Sequence, residues 1–155
     1  MYRQGPVDAG PPTARVAPPD ASGYHGLREG GFQRGEHGVV TDGQWLVGNA
    51  ALDGEGRQGW FVGHFMPEGG LRRSGDVEIK WGVHPAGESR ASWQEDEART
   101  TVLLLIEGRF RIRLSTGEHV LCRPGDYAMW GVGVGHSWSA EDDSVVVTIR
   151  WPSIA

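Results

Sequence analysis

The chain has 155 residues, of which 38% are hydrophobic and 23% are charged, and its formal net charge is −5. This length suits one domain with a sizeable core, and the acidic balance argues against a non-specific nucleic-acid surface. No apolar run approaches the roughly 20 residues of a membrane helix, and the first 20 residues lack the apolar core of a secretion signal. We therefore expect a cytoplasmic protein with no membrane or nucleic-acid partner.

The N-terminal part of the chain is poor in bulky apolar side chains. Residues 1–22 are rich in Pro, Gly, Ala and Asp, a composition that predicts a disordered segment. Residues 23–44 stay Gly-rich and polar but include Tyr24 and Phe32, which would hold this arm against the following domain or a second subunit. The sequence thus predicts a single domain over 45–155 that carries a flexible N-terminal arm.

From residue 45 onward, short apolar runs alternate with turns. Strands are predicted over 44–52, 59–66, 76–84, 100–107, 110–114, 119–123, 126–130, 136–140 and 144–151. The polar segment 88–99 is predicted as a loop or an irregular edge strand. Nine or ten short strands at regular spacing indicate an all-β sandwich or barrel.

The predicted strand 76–84 alternates strictly between two faces. One face carries Val77, Ile79, Trp81 and Val83, and the other carries Glu78, Lys80, Gly82 and His84. The polar face either points to solvent or lines the mouth of a barrel. Lys80 stands alone beside 14 Arg, an excess typical of a GC-rich bacterial gene. A desolvated Lys next to a carboxylate can hold an anionic substrate or move a proton.

The stretch 125–136, GDYAMWGVGVGH, follows a strand with a Pro-Gly-Asp turn and a glycine-rich bend. This order resembles the second motif of the cupin family, with Gly125, Gly133 and His136 at matching positions. Gly131 stands where the family has Pro, and Ala140 where it has Asn. The resemblance implies a cupin-like jelly-roll β-barrel whose interior holds a metal or a small ligand.

The first cupin motif departs from the family pattern. Anchoring it on Gly108 places Thr101 at the family's Glu position, and Glu95 and Glu97 at its two His positions. Of the ligands that the resemblance implies for a divalent transition metal, only His136 is therefore retained.

A displaced metal site would have to recruit other side chains around His136. The candidates are His64 and His84, each on a predicted strand, and the carboxylates Glu95 and Glu97. The alternative is that the acidic residues form a solvated loop and that the strand histidines are structural.

Seven Trp are many for a chain of this length. Trp138 shares strand parity with His136, and Trp130 lies just before the bend, so both are predicted to line a pocket with aromatic walls. Such a pocket suits a small, partly aromatic ligand. The further candidate ligand-binding residues are Tyr127, Trp81 and His64. The single cysteine, Cys122, is predicted to be a small buried apolar residue.

Three functions remain open at this point. The first is a metal-independent or weakly metal-dependent biosynthetic enzyme, in which His136 acts with Lys80, Glu78 or His84 in isomerisation, cyclisation or dehydration. The second is a metal-dependent cupin oxygenase with displaced ligands, and the third is a non-catalytic ligand-binding or sensor protein. The retained His136 and the single Lys80 favour the first. Exposed edge strands favour a homodimer.

Overall fold

A computed structural model describes residues 45–95 and 97–154, together with the backbone of 33–34 and 40–41. Its one short helix, α1, spans Ala50–Asp53. The strands are β1 (Gln33–Arg34), β2 (Val40–Thr41), β3 (Leu46–Val47), β4 (Trp60–Val62), β5 (Glu78–His84), β6 (Thr100–Glu107), β7 (Phe110–Leu114), β8 (Gly117–Leu121), β9 (Tyr127–Trp130), β10 (His136–Ala140) and β11 (Ser144–Trp151). The all-β prediction is confirmed. No helix in the described residues is long and apolar enough to cross a membrane.

The strands form two larger antiparallel sheets and one small one. The five-stranded sheet has the order β4-β5-β11-β6-β9, and the three-stranded sheet has the order β10-β7-β8. In the small sheet β1 pairs with β2, and β2 pairs with β3; β1 and β2 lie in the predicted arm. The predicted boundaries at 22 and 44 stay predictions, and the segment 1–22 lies outside the described residues.

The hydrophobic core lies between the two larger sheets. Leu103 and Leu105 of β6 face Phe110 and Ile112 of β7, and Val146 of β11 completes this buried cluster. On β6 the buried positions alternate with half-buried ones, as expected for a strand with one face against the core. Burial of these side chains removes apolar surface from water and supplies the main stabilisation of the fold.

The turn between β6 and β7 needs glycine at Gly108. Its φ is +93°, in a region that side-chain-bearing residues rarely adopt, and an added Cβ would lie 2.2 Å from the carbonyl oxygen of Asp143. The predicted Glu107–Gly108 turn is therefore confirmed. At this turn the chain crosses from β6 in the five-stranded sheet to β7 in the three-stranded sheet.

Two predicted strands are shorter than the sequence suggested. The strand predicted over 44–52 covers only Leu46–Val47, because the Asn49 side chain accepts hydrogen bonds from the N–H groups of Ala51 and Leu52 and starts α1. The strand predicted over 59–66 ends at Val62. Cys122 is exposed, so its predicted burial is wrong.

The polar segment after β5 runs along the edge of β10. The Arg90 N–H donates to the Trp138 carbonyl (3.0 Å), and Gln94 and His136 exchange two backbone hydrogen bonds of 2.9 and 3.0 Å. Of the two predictions for 88–99, the irregular edge strand is thus the correct one for this part. This pairing places Arg90 beside Trp138 of β10, the strand that begins at the end of the cupin-like stretch 125–136.

Candidate active site

A cavity of about 80 Å³ lies inside the barrel formed by the two larger sheets. Its apolar walls are largely aromatic and are formed by Trp60, Phe110, Trp130 and Trp138. The Phe110 and Trp138 rings are stacked, with centroids 5.3 Å apart and planes inclined by 25°. A small space with aromatic walls and a few polar groups is the usual form of a small-molecule site.

An open groove of about 490 Å³ lies against the cavity and runs beside α1 and β5. Lys80, His84, Arg90 and Trp138 line both spaces and so form their common wall. A ligand that enters from the groove would pass these four side chains before it reaches the inner residues.

Strand β5 directs its polar face into the barrel. Glu78 is 1% exposed, Gly82 and His84 are buried and Lys80 is partly buried, whereas Val83 on the other face is 62% exposed. The interpretation of this face as a solvated surface is therefore wrong. The register with β11 explains the placement, because inward-facing residues of both strands lie side by side in the middle of the five-stranded sheet.

His84 is held in one orientation at the common wall. Its Nδ1 donates a 2.8 Å hydrogen bond to a Glu88 carboxylate oxygen, and its ring lies 4.3 Å from that of Trp138. Gly82 provides the space, since a Cβ there would lie 2.7 Å from His84 Nε2. Burial lowers the pKa of His84, and the bond to Glu88 opposes this shift without reversing it. The imidazole is thus neutral near pH 7.

His136 lies at the inner end of the cavity. It is 9% exposed, and its ring lies 4.8 Å from that of Trp130. Burial, and after it the positive charge of Arg90, lower the pKa of His136, although Glu97 and the carbonyl of Val134 act in the opposite direction. His136 therefore also presents a neutral imidazole near pH 7, the form that can accept a proton.

Three buried polar atoms on cavity-lining residues have no hydrogen-bond partner among the described residues. They are Thr101 Oγ1, Trp130 Nε1 and His136 Nδ1, on side chains that are 1%, 5% and 9% exposed. Thr101 and Trp130 are directly paired across β6 and β9. Buried polar groups in folded proteins are nearly always satisfied, so this cluster indicates a place where a ligand or water supplies the missing hydrogen bonds.

Two cations of the common wall also lack a charged partner in the part of the chain that the structure describes. Among the described residues, the Arg90 side chain makes no ion pair or hydrogen bond, and Lys80 makes only a distant cation–π contact, with Nζ 5.9 Å from the Trp60 ring. Burial lowers the pKa of Lys80, as do the charges of Arg90 and Arg150, while Glu88 raises it. Lys80 thus gives up its proton more readily than an exposed lysine.

Glu78, predicted as a catalytic carboxylate near Lys80, is instead the centre of a closed charge network. It accepts hydrogen bonds from Arg99 (2.9 Å) and Arg150 Nε (3.0 Å) and one from the Ser153 hydroxyl (3.3 Å). The same two guanidinium groups contact Glu97 at 3.1 and 3.4 Å. Two carboxylates and two guanidinium groups balance one another, so neither Glu78 nor Glu97 is free for acid–base work.

His64 does not join the other candidate residues. It follows the end of β4 and is not part of a strand, so the prediction that places it on one is wrong. Its Nδ1 lies 2.9 Å from the Ser153 hydroxyl and 3.3 Å from a Glu78 oxygen. His64 therefore belongs to the charge network and does not line the cavity.

Other predicted site residues, two for ligand binding and Glu95 as a possible metal ligand, also lie outside the cavity. Tyr127 is 64% exposed on the outer face of β9. Trp81 faces away from Lys80 and reaches only the open groove. Glu95 is exposed and lines a separate groove with Trp93. Trp130 and Trp138, in contrast, do line the cavity.

The described residues do not fit a cupin-type metal site. Asp96 is not one of the described residues. Among the residues that are described, no three His, Cys, Asp or Glu side chains converge in a way that could hold an ion. His84 is bound to Glu88 and Glu97 is bound to two guanidinium groups. We therefore derive no step through a metal.

Three residues that line the cavity were not predicted as site residues. Arg90 lies in a polar segment and is one of 14 Arg, so neither pattern nor composition marks it. Phe110 is a strand residue like many others. Thr101 carried a signal, because it stands at the Glu position of the first cupin motif, yet its residue type gave no reason to predict a site.

The chain is similar to solved structures of small cupins. It is 21% identical to KdgF from Halomonas sp., over 51% of this chain and 72% of that one, with a TM-score of 0.46. A cupin superfamily protein from Desulfitobacterium hafniense is 23% identical (50% and 69% covered, TM-score 0.46). A cupin-2 domain protein from Shewanella frigidimarina is 20% identical (49% and 71% covered, TM-score 0.42). These likenesses cover about half of the chain and say nothing about its ligand.

Neither a protein-family model nor a curated protein matches the chain.

Proposed function

We propose that the protein is a small enzyme that carries out acid–base catalysis on a small, partly aromatic molecule bound in the barrel cavity. The reaction types are isomerisation, cyclisation or dehydration, which move protons without a net change of oxidation state. One observation carries the proposal: two neutral histidines and a lysine of lowered pKa line the same aromatic cavity. Perturbed titratable groups gathered in a cleft are typical of catalytic sites.

His136 is assigned the role of general base. A neutral imidazole can take a proton from a ligand atom next to it, and the lowered pKa keeps it in this form at neutral pH. Its Nδ1 has no partner among the described residues, so the proton exchange does not require an existing hydrogen bond to break first.

Lys80 is assigned the role of general acid. It returns a proton to a second atom of the substrate, or stabilises negative charge that develops there, and its lowered pKa makes proton donation easier. His84 is a second acid–base group at the common wall, and Glu88 fixes its tautomer because a carboxylate can only accept the hydrogen bond from Nδ1. The substrate loses one proton to His136 and gains one from Lys80, and exchange with water then returns both side chains to their starting protonation states.

The proposal is tested by a readout that does not require a known substrate. The protein is incubated in D2O with a soluble metabolite extract, and mass spectrometry follows deuterium uptake and conversion to new products. We expect at least one compound to change with the wild-type protein and none to change with His136→Asn. The control is His119→Asn, because His119 is exposed on β8 and does not line the cavity.

Two outcomes would contradict the proposal. If the same compounds change with His136→Asn, or if none changes with the wild type, the general-base role of His136 is refuted. A metabolite that binds tightly and is recovered unaltered would make the protein a binding module. Elemental analysis of protein purified without chelator tests the oxygenase alternative, which requires about one equivalent of a transition metal that is lost in His136→Ala.

A further inference from the structure

We infer that the ligand of this cavity is a flat carboxylate that carries a hydrogen-bond acceptor, such as a carbonyl oxygen, at its far end. The inference names the substrate class of the proposed enzyme and rests on that proposed function only for the step that follows binding. Two separate groups of residues, at the two ends of the cavity, carry it.

The mouth of the cavity holds uncompensated positive charge. Lys80 and Arg90 line it and make no ion pair in the part of the chain that the structure describes. Of the other charged residues that line the cavity, Arg150 and Glu97 belong to the closed network around Glu78.

Two carboxylates, Glu55 and Glu88, line the groove outside the mouth. Glu55 is exposed, and Glu88 is bound to His84 and about half exposed, so they offset only part of this charge. Partly buried cations without a partner are costly, and an anionic ligand would compensate Lys80 and Arg90. The planar guanidinium of Arg90 suits a carboxylate, which it can bind through two parallel hydrogen bonds.

The inner end requires an acceptor on the ligand. The indole N–H of Trp130 can donate a hydrogen bond and cannot accept one, so the ligand atom that satisfies it must be an acceptor. Thr101 Oγ1 lies on the residue directly paired with Trp130 across β6 and β9, and it is also unpartnered. Both side chains are more than nine-tenths buried. A carbonyl or ether oxygen of the ligand can accept from the Trp130 N–H, and the Thr101 hydroxyl can donate to an acceptor at the same end of the ligand.

The walls between the two ends favour a flat body. Phe110 and Trp138 stack on one another at the wall, and Trp60 and Trp130 complete the aromatic lining. Aromatic faces contact planar, unsaturated groups over a large area. The site as a whole thus matches a carboxylate joined through a planar segment to an acceptor oxygen.

The test uses three para-substituted probes of the same shape: 4-acetylbenzoate, 4-acetylbenzamide and 4-ethylbenzoate. Ligand-observed NMR titration at millimolar concentration gives their dissociation constants. We expect 4-acetylbenzoate to bind, and the amide, which lacks the charge, to bind at least about tenfold more weakly, because it loses the charge-assisted hydrogen bonds to Lys80 and Arg90. The ethyl compound, which lacks the acceptor, should bind several-fold more weakly, since it leaves Trp130 and Thr101 unsatisfied.

Variants assign these preferences to the named residues. Arg90→Gln and Lys80→Met should each weaken 4-acetylbenzoate about tenfold and leave 4-acetylbenzamide unchanged. Thr101→Val should reduce the preference for the acetyl over the ethyl probe. Arg123→Gln is the matched control, because it removes one positive charge from an exposed side chain that does not line the cavity.

The inference is overturned if the amide binds as tightly as the carboxylate, if Arg90→Gln and Lys80→Met bind both probes like the wild type, or if no probe binds. These results would leave the deuterium-uptake test untouched. Conversely, charge-selective binding together with unchanged turnover in His136→Asn would refute the proposed function and retain the ligand class.

Discussion

Replacing Glu78 by Gln should destabilise the protein strongly, because it removes the central charge of a buried network. Glu78 is 1% exposed and accepts hydrogen bonds from Arg99, Arg150 and Ser153. In Glu78→Gln one acceptor oxygen becomes an NH2 donor that faces guanidinium donors. Two positive charges are then balanced by Glu97 alone.

The size of the effect follows from this loss. Breaking a buried ion pair by removing one partner costs about 3–5 kcal/mol. The two guanidinium groups are about one quarter exposed, and solvent screening moves the expectation to the lower end, about 3 kcal/mol. For a chain of this length, that corresponds to a fall in Tm of about 10 °C.

Urea unfolding and thermal unfolding at pH 7 measure this loss. Glu118→Gln is the control, since Glu118 also pairs with two arginines but is exposed, and it should lose less than about 1 kcal/mol. A loss below about 1 kcal/mol in Glu78→Gln would refute the structural role. Normal stability with abolished turnover would instead support the earlier prediction of Glu78 as a catalytic carboxylate.

Three further predictions concern pH, the position of His84 and assembly. Burial lowers the pKa of His84 and His136, so below about pH 6.5 the unfolded chain binds more protons than the folded chain. The free energy of unfolding, measured by urea titration, should therefore fall from pH 7 to pH 5. The fall should be smaller in His136→Asn. Gly82→Ala should lower turnover more than stability, since the new Cβ would displace the His84 imidazole, and unchanged turnover would contradict this. Tyr127 and Met129 are exposed on the edge strand β9, which favours pairing with a second copy. Sedimentation at micromolar concentration should therefore show a homodimer for the wild type and a monomer for Met129→Lys. A wild-type monomer would refute the predicted homodimer.

The strands after residue 76 could be predicted well because their patterns are local. Alternation marked β5, and turn residues such as Gly108 marked the strand ends. The segment 44–52 failed because a single side-chain cap at Asn49 outweighed the strand-like pattern. Capping depends on the backbone conformation of one residue, which an apolar pattern does not report.

The site was predictable only in part, for a reason of geometry. The alternation of residues along β5 placed Lys80 and His84 on one face but gave no indication of which face points inward. It also placed Glu78 on that face, where it was predicted to be a free carboxylate. The charge network around Glu78 joins β5 to residues far along the chain, including Arg150, and no local pattern reports such pairing. Arg90 was missed for the same reason, since only the pairing of its segment with β10 brings it to the cavity.

The inward face of β5 shows how one strand serves both stability and chemistry. At its first end, Glu78 is surrounded by guanidinium groups, and every charge there is balanced. Two residues further on, Lys80 has no ion-pair partner among the described residues. Gly82, four residues after Glu78, leaves room for the His84 imidazole beside the groove. Because interior positions alternate along a strand, the balanced network fixes the register that holds Lys80 at the cavity mouth. The unbalanced charge is thus placed where a ligand can reach it, and the balanced network centred on Glu78 holds the strand that carries it.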